Sequence, residues 1–341
     1  MIARSRELLL AAVLVGALAC GLAFEGLAGE VERPTSQPIP GERFTARAVF
    51  CPPSLSGADT GIAVAALERA DAVVEVETPG KRRDKKELTS DRALIHKVEE
   101  RSGANVIGYG TSLGASAATR VDKPVEGGGA AECSGTASTA WYFPEGSSAL
   151  DYDERLLIYN PFADEAVVQI TTFGPRGDRS KANLSDVAVP SRSSVVVSLN
   201  DFILRHPFLS VAVTATRGRV VAWRTLLAKP DDRADGLQFS LGATAVAEEW
   251  NFPDGALGDG YEETLALLNP TEDEAAVEIS LVTNKEILQP PKLLELAVPP
   301  GSSRSIALDD FVQGPQKELG AVGAVVRSTN GVGIVAERTV W

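Results

Sequence analysis

The sequence predicts an all-β chain of tandem immunoglobulin-like β-sandwich modules after one N-terminal hydrophobic helix. Two observations predict this fold class. A long segment of the 341-residue chain occurs twice, and within each copy short β-branched runs end at turn residues roughly every 8–15 residues, as in β-sandwiches. No stretch between these runs keeps the 3.6-residue period of an amphipathic helix.

The N-terminal segment has the features of a signal peptide or membrane anchor. Arg4 and Arg6 precede an uncharged apolar run of seventeen residues, Leu8–Phe24. As a helix this run is about 25 Å long, slightly less than the ~30 Å hydrocarbon core. Flanking positive charges keep the N-terminus in the cytoplasm. We therefore expect a cell-membrane protein with a single N-terminal anchor and an extracytoplasmic C-terminal part. Cleavage near Ala19, which gives a secreted protein, and lipidation of Cys20 are the alternatives.

The repeat begins at Trp141 and recurs from Trp250 at a constant shift of 109 residues. The matched pairs are Trp141/Trp250, Phe143/Phe252, Pro144/Pro253, Gly146/Gly255, Glu154/Glu263, Asn160-Pro161/Asn269-Pro270 and Val189-Pro190/Val298-Pro299. These residue types predict structural roles: aromatic rings fill a core, Pro and Gly set a turn, and Asn-Pro ends a strand.

A more divergent module precedes the repeat. Its segment Gly103–Arg120 resembles the stretch that ends the later copies, whereas Lys85–Arg101 fits either a short helix or another strand pair. Residues 127–129 are three successive glycines, which we interpret as a flexible loop. The predicted organisation is a signal or anchor segment (1–24), a Pro-rich linker (25–43), a divergent β module (44–138), sandwich repeat 1 (139–230) and sandwich repeat 2 (231–341).

The cysteines predict one disulfide. Cys51 and Cys133 are the only cysteines beyond the apolar segment, and disulfides persist outside the cytoplasm. We expect these two residues to be bonded, in preference to two free thiols or a metal pair.

Acidic residues recur beside the repeated turn and are the candidates for chemistry. Glu145, Asp153 and Glu154 in sandwich repeat 1 correspond to Asp254, Glu262 and Glu263 in sandwich repeat 2. Three interpretations remain open: a solvated charged loop, which we favour; a Ca²⁺ site; and the acid/base pair of a glycosidase. The calcium ligands would be the oxygens of Asp254, Asp259, Glu262 and Glu263.

Charge and composition exclude several functions. The formal net charge is −13, which argues against a nucleic-acid partner. Residues 231–341 hold 19 acidic and 7 basic residues and so carry most of this charge. The sequence contains no Gly-rich phosphate-binding loop, so it gives no indication of a nucleotide ligand. Its two histidines leave few candidates for His-based catalysis. The basic run 81–86 is interpreted as an exposed hairpin tip, in preference to a contact with anionic lipid or wall polymer.

Cys51-Pro52, Cys133 ahead of Trp141, the L-x-N-P segments and the V-P-x-x-S-S segments together resemble one family. It is an actinobacterial secreted or membrane-anchored family catalogued only as a domain of unknown function. The resemblance implies β-rich extracytoplasmic modules and, by analogy of genomic setting, a role accessory to surface polysaccharide assembly. We therefore expect a non-catalytic cell-envelope scaffold or binding module, needing no cofactor, whose partner is an envelope protein or glycan. A glycan-active hydrolase and a Ca²⁺-rigidified adhesin are the alternatives.

Overall fold

The computed structural model describes the folded part of the chain: residues 46–67, 72–81, 83–89, 92–98, 100, 102–109, 111–123, 126–175, 177, 179–180, 184–229, 235–257, 261–283, 285–311 and 320–341. The expected anchor (1–24) and linker (25–43) lie outside these ranges. Among the described residues, no helix is long and apolar enough to cross a membrane.

The described chain is all-β, as predicted, with 60 % of its residues in strands. The divergent module is called the first copy below, and sandwich repeats 1 and 2 are called the second and third copies. The strands of the first copy pair in two four-stranded antiparallel sheets, in the orders β1-β6-β3-β4 and β5-β2-β7-β8. Their bounds are β1 Ala46–Cys51, β2 Ala58–Ala66, β3 Ala72–Glu77, β4 Asp84–Leu88, β5 Leu94–Val98, β6 Ala104–Tyr109, β7 Leu113–Val121 and β8 Gly127–Glu132.

The second copy repeats this arrangement. Its sheets have the orders β12-β11-β15-β9, with β13 also on β11, and β14-β10-β16-β17. The bounds are β9 Ala140–Phe143, β10 Tyr152–Asn160, β11 Ala166–Phe173, β12 Arg179–Ser180, β13 Val187–Val189, β14 Ser193–Ser198, a 3-10 helix Leu199–Asp201, β15 Ser210–Arg217, β16 Val221–Ala228 and β17 Gly236–Leu241. Strand β17 follows the predicted module boundary at residue 230 and pairs with β16.

The third copy has sheets β18-β26-β21-β22, with β23 also on β21, and β24-β20-β27, plus a short β19-β25 pair. The bounds are β18 Glu249–Phe252, β19 Ala256–Leu257, β20 Glu263–Asn269, β21 Ala275–Val282, β22 Ile287–Leu288, a 3-10 helix Pro291–Leu293, β23 Leu296–Val298, β24 Ser302–Ala307, a 3-10 helix Leu308–Phe311, β25 Gly320–Ala321, β26 Gly323–Ser328 and β27 Val335–Val340.

The first two copies share one strand order, and the described strands of the third follow it without a counterpart of β8 and β17. The divergent first module therefore has the topology of the repeats. β6 and β7 stand where β15 and β16 stand in the second copy, as the resemblance of Gly103–Arg120 to the later copies predicts. In each copy this pair crosses from one sheet to the other, because β6 pairs with β1 and β3 while β7 pairs with β2 and β8.

The cores follow from the two-residue period of the strands. In β21 the side chains of Val277, Ile279 and Leu281 are buried and the residues between them are less so, because successive Cβ atoms point to opposite faces of a sheet. Most buried residues of the first two copies form one cluster and most of those of the third form another. A small additional cluster joins the second and third copies. The described residues from Ala46 to Trp341 belong to one unit.

Two local expectations are now resolved. The segment 85–101 forms strands, and not a helix: β4 pairs with β3, whereas β5 pairs with β2 in the other sheet. The expectation of a flexible loop at residues 127–129 is wrong, because these glycines begin β8. Strand β17 passes directly over them, and a Cβ at Gly129 would lie 2.9 Å from the Leu237 carbonyl oxygen. Glycine is required there by close packing and not by a turn.

The predicted disulfide is confirmed. Cys51 is bonded to Cys133, and the Cys51 side chain is fully buried. The backbones of Phe50 and Ser134 exchange two hydrogen bonds of 2.8 Å beside it. The bond therefore fastens the first strand of the chain to the segment that leaves β8, and it closes most of the first copy into a covalent loop.

Candidate functional site

The repeated acidic residues are the sequence's candidates for chemistry, and one of them is fully buried in the second copy. Glu154 lies at the start of β10 with 0 % of its surface exposed. Its Oε2 atom accepts a 2.8 Å hydrogen bond from the Ser147 amide, and its own amide donates to Asn200 Oδ1 at 2.9 Å. Burial raises the pKa of Glu154 to about 8, although the nearby Arg224 charge lowers it. At neutral pH this carboxyl group is therefore largely protonated.

Arg224 of β16 lies beside Glu154 but is paired with the third copy. Its Nη2 atom lies 2.7 Å from Glu337 Oε1 of β27. Glu337 Oε2 in turn accepts a 3.1 Å hydrogen bond from the Glu145 amide. Burial alone lowers the pKa of Arg224, but Glu337, Glu154 and Glu145 outweigh it and raise that pKa. The guanidinium is thus a buried cation that links two copies.

The third copy contains the corresponding glutamate and arginine, but there the two residues pair with each other and not with a neighbouring copy. Glu263, the counterpart of Glu154, forms an ion pair with Arg338 of its own copy. Its Oε2 atom accepts a 3.1 Å hydrogen bond from the Ala256 amide, and its own amide donates to Asp309 at 3.1 Å. Burial raises the pKa of Glu263, whereas Arg338 lowers it. The glutamate therefore ties the turn to the strand in both copies.

This pair explains the glycine in the repeated W-x-F-P-x-G motif. A Cβ at Gly146 would lie 2.6 and 2.7 Å from the two carboxylate oxygens of Glu154. At Gly255 it would lie 1.6 Å from Arg338 Nη2. The turn passes so closely over the buried glutamate and arginine side chains that a residue with any side chain would displace them.

Other repeated residues serve the fold as well, as the sequence predicts. The Trp141 indole donates to the Val220 carbonyl at 2.8 Å, and Trp250 donates to Ile334 at 2.9 Å. The Asn160 side-chain amide donates to the Asp164 and Val189 carbonyls. Asn269 donates to the corresponding carbonyls of its own copy, those of Asp273 and Val298. These side chains satisfy backbone groups at strand ends, where unpaired carbonyls would be costly.

The solvated-loop interpretation is therefore wrong for Glu154 and Glu263, two of the six acids. Glu145 is half-buried. Glu154 and Glu263 are buried because they begin strands and face the core, where each meets an arginine. Asp153 is half-buried and holds Arg155 through contacts of 2.6 and 3.0 Å. Asp254 and Glu262 are exposed.

The residues of the predicted calcium site are only partly described. Asp259 lies outside the described residues, and the Glu263 carboxylate is turned inward to Arg338. Within the described part of the chain, no group of three His, Cys, Asp or Glu side chains is placed to hold a metal ion. The calcium site stays a prediction.

The basic run 81–86 is a hairpin tip, as expected. Lys81, Arg83 and Lys85 are exposed around the turn between β3 and β4, where Gly80 has a φ of +75°. Arg82 lies outside the described residues. Of the two histidines, His206 is exposed and His96 lies on β5.

Sequence reasoning missed the partners of the buried acids. Arg224 and Arg338 occupy matching places in the segments GRVVAWRT and GVGIVAERT. The repetition of an arginine inside a buried strand is a signal that a carboxylate faces it, since charged groups are rarely buried without a partner. The link from Glu337 to Arg224 has no such signal, because it depends on how two copies meet.

Comparisons with solved structures give likenesses too weak to carry an argument. One is the crystal structure of Thermotoga maritima 1070, with 18 % identity over 32 % of this chain and 97 % of that chain, at a TM-score of 0.29. A second is the Anabaena sensory rhodopsin transducer, with 23 % identity over 28 % of this chain and 97 % of the other, at 0.24. A third is the Streptomyces avermitilis alpha-L-rhamnosidase complexed with L-rhamnose, with 9 % identity over 86 % of this chain and 42 % of that chain, at a TM-score of 0.18.

A search of curated proteins finds no match. A family model does match, in two consecutive segments that cover residues 103–225 and 231–337. These segments include the second and third copies and the last strands of the first, which is the part of the chain that carries the repeated motifs. Because they span well over half of the sequence, the chain belongs to DUF5719, a family of unknown function.

Proposed function

We propose that this protein is a non-catalytic, extracytoplasmic scaffold or binding module of the cell envelope, held at the membrane by its N-terminal segment and accessory to surface polysaccharide assembly. One observation carries the non-catalytic part. The buried acids repeated in both copies, Glu154 and Glu263, are held by backbone amides and faced by arginines that fix turns to strands. A general acid must reach its substrate, and these two carboxyls are enclosed.

Contacts between copies support a rigid scaffold. Glu337 of the third copy reaches Arg224 of the second, and the Trp223 indole of the second donates to the Glu132 carbonyl of the first at 2.9 Å. Trp223 and Glu337 occupy matching places in the last repeated strand. The same position thus reaches back to the preceding copy at both junctions, which suits a scaffold whose neighbouring copies are fixed to one another.

We propose that each copy is an immunoglobulin-like sandwich. Two central pairings agree with that fold: the second and fifth main strands pair (β10 with β14), and so do the third and sixth (β11 with β15). The outer strands differ, because β9 joins β15 and β16 joins β10. The buried side chains between the sheets, with β-branched residues prominent among them, are typical of sandwich cores.

A glycan-release assay tests the proposal. We expect the full chain, incubated with isolated envelope glycan, to release no more reducing ends than buffer does. The exposed acids offer the sharpest variants, because Asp254→Asn and Glu262→Gln leave the buried pairs intact. Turnover that both variants abolish, with an unchanged unfolding midpoint, would establish the hydrolase instead.

The adhesin alternative has its own test. If Ca²⁺ held the loop that carries Asp254 and Glu262, a chelator would lower the unfolding temperature of the full chain by several degrees. Under the scaffold proposal we expect no shift, since the Glu263 carboxylate is already committed to Arg338. A chelator-induced shift that these two variants abolish would favour the adhesin.

A further inference from the structure

The copies meet at two corresponding junctions, and the junction between the second and third is filled with apolar side chains. There Leu268 packs with Phe173, Ala212 and Val335. The turn before β24 closes against the second copy, with the Ser303 amide donating to the Gly174 carbonyl at 3.2 Å.

The first and second copies are also packed together, since their buried residues form one cluster, but a polar cleft lies beside this junction. Tyr159 stands where Leu268 stands in the third copy. A cleft of about 410 Å³ lies between the β3–β4 hairpin of the first copy and the turn between β13 and β14 of the second. The charged and hydrogen-bonding side chains in its lining include Glu77, Lys81, Arg83, Asn105, Tyr159 and Arg192.

The floor of this cleft is a chain of hydrogen bonds that fixes its polar groups. The Tyr159 hydroxyl donates to Asn105 Oδ1 at 3.0 Å, and Asn105 Nδ2 lies 3.5 Å from Glu77 Oε2. Glu77 is also paired with Arg83. Arg83 also lies 3.5 Å from Glu75, so its charge is compensated by carboxylates of its own hairpin. Arg192 brings a further positive charge to the lining, which favours an anionic ligand.

Arg192 is held in the cleft at a conformational cost. Its φ is +48°, a left-handed value that costs a residue with a Cβ roughly 1–2 kcal/mol. Gly301 occupies the corresponding position in the third copy, at a φ of +60°. The turn thus needs a left-handed residue in both copies, and glycine fills it without strain where the junction is closed. An arginine kept in a strained position directs attention to its guanidinium. No carboxylate in the described part of the chain forms an ion pair with Arg192.

We propose that this cleft binds an acidic sugar unit, with the Arg192 guanidinium on its carboxylate or phosphate group. Arg presents paired N–H donors that match either oxyanion. Asn105 and Ser191 bring hydrogen-bonding side chains to the lining for sugar hydroxyls, and the cleft volume lies in the range of small-ligand sites. This assignment rests on the proposed binding function and names its ligand class.

Calorimetric titration of the full chain with glucuronate, glucose 6-phosphate and glucose tests the assignment. We expect at least one of the two acids to bind in the millimolar range or more tightly, and neutral glucose to bind at least about tenfold more weakly. Arg192→Gly removes the guanidinium and relieves the strained backbone, so this variant folds. It should weaken binding of the acid about tenfold or more.

The matched control is Arg205→Gly, because Arg205 is also an exposed arginine with a positive φ, +63°, outside the cleft lining. It should leave the affinity unchanged. Binding of glucuronate alone assigns a carboxylate ligand, and binding of glucose 6-phosphate alone assigns a phosphate. Neither acid binding, glucose binding equally well, or equal affinities in the two variants overturns the site while leaving the scaffold proposal intact. Glycan release by the wild type would refute the non-catalytic function instead.

Discussion

The ion pair that joins the second and third copies allows a quantitative test of how burial decides the value of a charge contact. Two arginine–glutamate pairs of the described chain have the same 2.7 Å Nη2–Oε distance. In Arg224–Glu337 the side chains are 1 % and 19 % exposed, whereas in Arg327–Glu249 they are 54 % and 43 % exposed. The perturbation is Glu337→Gln, and Glu249→Gln is its control.

Removing one member of a buried pair costs about 3–5 kcal/mol when the remaining charge has no other partner. Arg224 has another partner available, because Glu154 is nearby. The pKa of Glu154 is raised partly by the charge of Glu337. Without Glu337, Glu154 ionises more readily and pairs with Arg224, as Glu263 does with Arg338. We therefore expect a loss of about 1–3 kcal/mol for Glu337→Gln and at most about 1 kcal/mol for the exposed control.

Urea unfolding of the full chain, followed by circular dichroism, measures both losses. A double-mutant cycle that adds Arg224→Met isolates the pair, and we expect a coupling free energy of about 1–3 kcal/mol. Equal losses for Glu337→Gln and Glu249→Gln, or a coupling below about 0.5 kcal/mol, would refute the argument that this buried contact holds the copies together.

Three further outcomes are expected. The pKa of Glu154 is raised to about 8 in the folded state, so its contribution to the free energy of unfolding is complete below pH 4.5 and is lost as the pH rises to 8. Urea titrations at several pH values measure this slope, which is at most about 1.4 kcal/mol per pH unit, and Glu154→Gln should flatten it. Reducing Cys51–Cys133 should cost about 4 kcal/mol, and a reductant-insensitive melting temperature would contradict this. Arg192→Gly should stabilise by about 1 kcal/mol and Gly301→Ala destabilise comparably, so equal midpoints would refute the strain argument.

Much of the fold could be predicted because its signals are local. The two-residue alternation of Val277, Ile279 and Leu281 determines a strand wherever it occurs. The repeat of Trp141 at Trp250 marks a second copy without knowledge of any contact. Segment 85–101 could not be assigned, because its alternation is weak and charged residues dominate the exposed strand β4.

The candidate site was harder to predict than the fold, because the sequence shows which residues recur but not which way their side chains face. Glu154 and Asp153 are neighbours, and only the sheet decides that the first is buried and the second holds Arg155 near the surface. The Gly-rich start of β8 likewise looks like a loop until the neighbouring strand β17 is placed over it.

The sequence by itself determined the all-β class, the repeated module, the Cys51–Cys133 pairing and the concentration of negative charge in the last third. Each of these depends on residue type and spacing along the chain. The tertiary structure alone decided that Glu337 is the partner of Arg224 and that Arg192 borders a polar cleft, where its counterpart Gly301 stands at a closed junction. Such contacts join residues far apart in sequence, and their strength depends on burial, which arises only when the copies pack together.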